Sequence, residues 1–158
     1  MFAAPIDTHG KEIAILAEYP LLRSYPALLV AMIAEVSESA TEEQRDGFFA
    51  AIGARIAAMT SVADIEDGEL LGRRMNDLWD ALGWGDVRLE FHDEGIDILH
   101  RNLPTSIDRN DEGLWTQVAP AILTGAYETW FRSLGSGPNL TTRILRQGAG
   151  FVELRHGF

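Results

Sequence analysis

The sequence predicts an α+β domain: N-terminal helices, then two β-hairpins that form a four-stranded antiparallel sheet, with one helix between the hairpins. Three observations predict it. Apolar residues at helical spacing dominate the first half, as at Phe48, Phe49, Ile52, Ile56 and Met59. From Val87 to Phe91 the pattern switches to alternation, with Val87, Leu89 and Phe91 apolar and Asp86, Arg88 and Glu90 charged, the mark of a half-buried strand. Near the end, Leu140 to Arg146 and Phe151 to His156 flank Gln147-Gly148-Ala149-Gly150, a second hairpin. Nothing has the βαβ spacing of a parallel sheet.

The elements follow in order. Met1 to Gly10 has no period and reads as a loose arm, and Lys11 to Leu22 as a short helix, so residues 1–23 form an N-terminal segment ahead of one domain over 24–158. Ser24 is the expected N-cap of the next helix, with Pro26 in its first turn and its end near Val36. Thr41-x-x-Gln44 forms a capping box that opens another helix toward Thr60. Gly47 and Gly53 weaken that helix by roughly a kcal/mol each against Ala, and at a helix-helix seam such small residues allow close approach. A third helix is expected from Asp64 or Ile65 to Leu82, its apolar side marked by Ile65, Leu70, Met75, Leu78, Trp79 and Leu82.

Gly83 and Gly85 flank Trp84 and stop it. A turn at Glu94-Gly95 then pairs Phe91 with Ile98 and Leu89 with His100, and makes His92 and Asp97 cross-strand neighbours. Thr105 to Gly113 is polar and acid-rich, a surface loop. Leu114 to Leu134 is a helix with Pro120 in its second turn.

The chain has 158 residues, 46% of them hydrophobic, enough for one core and no second domain. A formal charge of -11 argues against nucleic acid or an anionic bilayer as partner. With no cysteine there is no disulfide, thiolate nucleophile or Cys-ligated metal. The longest apolar run, Tyr25 to Ala34, is far short of the roughly 20 residues of a membrane span, so no insertion is expected. The first twenty residues lack a basic n-region, and Glu18 cuts the run Ile13 to Ala17, so the cytoplasm is expected, with the periplasm as alternative.

Tests for reactive chemistry fail one by one, so no catalytic residue, cofactor or metal is predicted. The four histidines lack the converging spacing of a metal site, and His92, His100 and His156 read as hairpin-surface or satisfied edge residues. Ser136, between Gly135 and Gly137, follows a helix rather than a strand and imitates a nucleophile elbow only superficially. Gly148-Ala149-Gly150 lacks the third Gly and the helix of a dinucleotide loop. The acids Glu42-Glu43, Glu66-Asp67 and Asp93-Glu94 sit at helix starts and a turn, where dipole and solvation explain them. Asp-x-Asp and Gln-x-x-Arg-Trp are absent, so the chain does not polymerise sugars itself. Trp79, Trp115 and Trp130 lie on apolar helical stripes and are expected in the core or at a subunit contact, whereas Trp84 is open to a sugar-stacking reading.

Two blocks of residues resemble one family. The first is Trp84-Gly85, Val87-Arg88-Leu89-Glu90, His100 and Leu103-Pro104. The second is Trp115, Ala119-Pro120, Gly125, Tyr127 and Trp130. Together they are similar to the accessory D subunit of bacterial cellulose synthase, over roughly Ser24 to Arg155. The resemblance implies a non-catalytic scaffold that organises synthase units so that extruded β-1,4-glucan packs into ordered ribbons. It also implies a ring-like homo-octamer of dimers, other synthase subunits as partners, and inner passages for a glucan chain. Met1 to Arg23 does not match the family's N-terminal segment, so no glucan-binding residue is carried over. Gly47, Gly53, Trp79, Trp84, Gly85, Pro104, Trp115, Pro120, Tyr127 and Trp130 are the expected structural and assembly residues. The rival expectation is a small-ligand-binding module with a pocket between sheet and helices.

Overall fold

The computed structural model describes residues 21–109 and 111–158. The predicted arm and the Lys11 to Leu22 helix therefore lie almost wholly outside the described residues. Helix α1 (Leu21–Ser39) runs without a break through Ser24 and Pro26, so Ser24 is a helix residue and not an N-cap. Helix α2 (Glu42–Ala57) starts as expected: Thr41 Oγ1 accepts from Gln44 N at 3.2 Å, and Gln44 Oε1 accepts from Thr41 N at 3.0 Å.

Helix α3 (Gly68–Leu82) starts later than the periodicity suggests, because the Asp67 carboxylate caps it by accepting from Leu70 N at 2.8 Å. Ile65 still reaches the core from the preceding turn, while Leu71, rather than Leu70, is buried on the helix itself. Its end is a Schellman motif. Gly83 takes the left-handed conformation at φ 66°, Gly83 N donates to Asp80 O, and Trp84 N donates to Trp79 O.

Strands β1 (Asp86–His92) and β2 (Gly95–Arg101) form the first hairpin. Phe91 faces Ile96 and Leu89 faces Ile98, so the register is two residues off the expected one. The physical reason is the turn, which consists of Asp93-Glu94 and leaves Gly95 in the ladder opposite His92 with φ 144°. A two-residue slip preserves side-chain parity, so the apolar face remains the predicted one. His92 and Asp97 become diagonal neighbours, with Nε2 to Oδ1 at 3.3 Å.

Helix α4 (Leu114–Ser133) carries Pro120 unbroken, and strands β3 (Thr141–Gly148) and β4 (Phe151–Gly157) close the fold. The sheet order is β1-β2-β4-β3, all antiparallel, with a bulge between Ile144 and Arg146 in β3. The core lies between this sheet and α2, α3 and α4, with α4 at its centre, burying Trp115, Tyr127, Trp130 and Phe131. In the loop before α4, Asp111 is buried, accepting from Ile107 N and Gly113 N at 2.9 and 3.0 Å.

Helices α2 and α4 run in the same direction and touch backbone to backbone. A Cβ on Gly53 would lie 1.9 Å from the Ile122 carbonyl oxygen, and one on Gly125 would lie 1.9 Å from that of Ala50. The small-residue seam at Gly53 thus sits inside the protomer. Gly47 has nothing within 4 Å of that position.

Candidate functional site

Of the residues singled out by the sequence, the four tryptophans and Tyr127 converge on one aromatic cluster. Trp79 stacks on Trp84 at a centroid distance of 6.1 Å and an interplanar angle of 15°. This is the hydrophobic contact that accompanies a Schellman motif, here between the residue one helical turn before the left-handed glycine and the residue just after it. Trp79 also meets Tyr127 and Trp130 edge-on at 5.9 and 5.3 Å, and Trp84 meets Trp115 at 5.1 Å. Trp84 is half-buried, stacked on Trp79 and edge-on to Trp115.

Two of the indoles also act as clasps. Trp130 Nε1 donates to Ala57 O and Thr60 O at 3.0 and 3.2 Å, satisfying carbonyls at the end of α2. Trp115 Nε1 donates to Pro104 O at 2.7 Å and fixes the exit from the first hairpin. Gly85 permits a close crossing, since a Cβ there would lie 2.0 Å from the Arg101 carbonyl oxygen. Pro120 is buried on α4, and its carbonyl accepts from Thr124 Oγ1.

His100 is one of two histidines, with His156, that sequence reasoning placed wrongly. It is fully buried rather than at the surface, because β2 is a central strand and His100 points inward at the helices. Both ring nitrogens are satisfied, Nε2 with the Trp84 carbonyl and Nδ1 with the Tyr127 hydroxyl, each at 2.7 Å. A carbonyl only accepts, so Nε2 carries the proton and Nδ1 accepts from the Tyr127 O–H. Burial lowers the His100 pKa, and burial also pushes the Tyr127 phenol well above its ordinary range. At neutral pH the pair is an uncharged strut joining α4, β2 and the helix stop after α3. His156 is buried as well, bonded through Nδ1 to Thr142 Oγ1 at 2.9 Å and stacked on Phe131.

Charge collects on the outer face of the sheet in matched pairs. Arg155 grips Asp97 with bonds of 2.6 and 3.0 Å, the main reason that the Asp97 carboxyl lies below its usual range. Arg146 pairs with Glu153, and Arg101 with Asp86. Among the described residues, no three His, Asp or Glu side chains are grouped as metal ligands would be, and no helix is long and apolar enough to cross a membrane.

Fold and cluster together define an α+β domain whose histidines and tryptophans hold its own elements in place. The family model for the D subunit of cellulose synthase matches residues 11–157, and the chain belongs to that family. Its role therefore lies in cellulose synthesis, as a component of the synthase complex. No curated protein matches it.

Proposed function

We propose that the protein is a non-catalytic scaffold subunit that self-associates and spaces cellulose synthase units, so that their β-1,4-glucan products are exported and crystallise in order. One observation carries the reading. On α1, Tyr25, Leu28, Leu29 and Met32 are each about half exposed or more, at 58, 58, 49 and 49%. They recur at i, i+3, i+4 and i+7, a single apolar stripe along a helix that reaches the core mainly through Ile33 and Val36. A contiguous apolar stripe of this kind on a chain of net charge -11 fits an interface between subunits. The octamer implied by resemblance is the assembly this face would serve.

The sheet supports the same route by being closed to strand addition at two points. The Asn76 side chain both accepts from Val87 N at 2.7 Å and donates to Val87 O at 3.0 Å on the β1 edge. Glu128 Oε2 accepts from Thr142 N at 2.9 Å on the β3 edge. Side chains from the helices thus occupy positions another strand would use. Assembly through α1 is tested by light scattering on the wild-type chain and on the double variant Leu28→Glu, Met32→Glu. The wild type should have a mass several times that of the protomer and the variant a smaller one, both with the same circular dichroism. A monomeric wild type, or an unchanged variant mass, would defeat the reading.

A further inference from the structure

His156 is a buried, titratable side chain that the scaffold reading leaves without a role. It is 2% exposed and lies where three elements meet. Its ring stacks on Phe131 of α4 at a centroid distance of 4.8 Å and an interplanar angle of 28°, and its Nδ1 is 2.9 Å from Thr142 Oγ1 of β3. Thr142 in turn donates its backbone N–H to Glu128 Oε2 of α4. The other oxygen of Glu128 faces Arg132 at 3.4 Å, and Arg132 reaches across to the carbonyls of Gly137 and Leu140. One polar cluster therefore fastens α4 to the start of β3 and the end of β4. These strand ends lie on one side of the sheet: His156 pairs with Thr142 and Ile96, the second residues of β3 and β2, and only the pairs of Gly157 lie beyond.

The cluster has no place for a second proton on this imidazole. His156 Nε2 is buried without a hydrogen-bond partner, so a protonated ring would hold an N–H that nothing accepts. Burial is the main reason that the ring's pKa lies below the ordinary histidine value, and the two charges on α4 act against each other, Glu128 favouring the proton and Arg132 opposing it. The β2 partner Ile96 is apolar, and Arg143, next to Thr142 on β3, is bonded to the Phe158 carbonyl. Attraction comes from the other side, where His156 lines an open cleft with Glu66 and Asp67, the acids before α3, and with no Lys or Arg. His100 differs, because both its nitrogens are satisfied and it packs edge-on against Trp79, so it gains a proton only when the core opens. We infer that His156 is the pin of an acid-released latch: once protonated, its ring leaves Thr142 and Phe131 for the cleft beside Glu66 and Asp67, and the ends of β3 and β4 part from α4 while the rest of the fold stays closed. Thr142 N then leaves Glu128 Oε2, which frees one of the two points where helix side chains close the sheet to strand addition.

Native-state hydrogen exchange of the full chain by NMR tests it, from pH 8 to 5 and across sub-denaturing urea, with rates corrected for intrinsic exchange. The open form takes up a proton with the ordinary histidine pKa of about 6.5, so opening at the amides of Thr142, His156 and Gly157 should increase about tenfold per pH unit between that value and the depressed one of the closed form. Little surface is exposed, so this opening should be insensitive to urea, whereas the amides of Ile98 and Leu154 should exchange only by urea-dependent global unfolding. His156→Gln, which can still bond to Thr142 but does not titrate, should lose the pH dependence at the strand ends and keep that of the sheet centre, which His100 sets. Equal pH and urea dependence at strand ends and sheet centre, no increase in opening as the pH falls to 5, or an unchanged increase in His156→Gln would overturn the inference. If His156→Gln misfolds, the wild-type comparison of strand ends with sheet centre decides alone.

Discussion

Tyr127→Phe removes one oxygen from the centre of the molecule and nothing else. The ring keeps its edge contacts with Trp79 and Trp130, at 5.9 and 5.7 Å, so packing is unchanged in shape. What changes is His100. With Nε2 committed to the Trp84 carbonyl, its Nδ1 loses the only proton donor within 2.7 Å and becomes a buried, unpaired acceptor in a fully enclosed site. Such a loss costs about 1 to 3 kcal/mol. For a chain of this size each kcal/mol lowers the melting temperature by about 2 to 4 °C, so a loss of about 2 kcal/mol corresponds to about 4 to 8 °C. Thermal unfolding followed by near-UV circular dichroism at pH 8, where His100 is neutral, reads the effect. A decrease of less than about 1 °C would refute the strut: the hydroxyl and the imidazole would then contribute nothing by meeting.

The histidines also set a pH dependence. Burial depresses the pKa of both His100 and His156, so the unfolded chain binds more protons than the folded one just below the ordinary histidine pKa of about 6.5. Denaturant-measured stability should be full above that pH and fall as the pH drops toward the depressed folded values, whereas a flat profile from pH 8 to 5 would show that the rings are not held neutral. Asp86 and Asp97 have lowered pKa values, so their loss belongs to more acidic conditions and does not mask this window. At the α2–α4 seam, Gly125→Ala should destabilise by about 3 kcal/mol through overpacking against the Ala50 carbonyl, and Gly47→Ala, in open space, should stabilise by about 0.4 to 1 kcal/mol. Equal effects at the two glycines in denaturant titration would contradict the close crossing.

The fold was legible where chemistry is local. Thr41 and Gln44 cap each other within one turn, Gly83 stops α3 by its own conformation, and alternation from Val87 to Phe91 shows which face of β1 is apolar. Features decided at a distance were not. Whether α1 breaks at Ser24 depends on the competition between a local cap and a longer helix, and the helix prevails. The hairpin register depends on which two residues form the turn, and a shift from Glu94-Gly95 to Asp93-Glu94 moves every pair by two. Gly53 does show a helix seam, but sequence spacing has no information about whether the partner is α4 or another copy. His100 looked like an edge residue because the order β1-β2-β4-β3, which makes β2 central, is a long-range pairing. The His156 latch was illegible for the same reason: Phe131, Thr142 and His156 come from three separate elements.

The central claim is that the protein acts by arranging synthase units rather than by chemistry of its own. The most direct measurement compares cells carrying the wild type, a gene deletion, and the Leu28→Glu, Met32→Glu variant, by cellulose yield and fibre diffraction beside synthase turnover in isolated membranes. A scaffold acting through α1 predicts that deletion and variant alike lower the yield or lateral order of cellulose while membrane turnover per synthase is unchanged. Normal cellulose order and yield in both strains, or a collapse of membrane turnover itself, would contradict it.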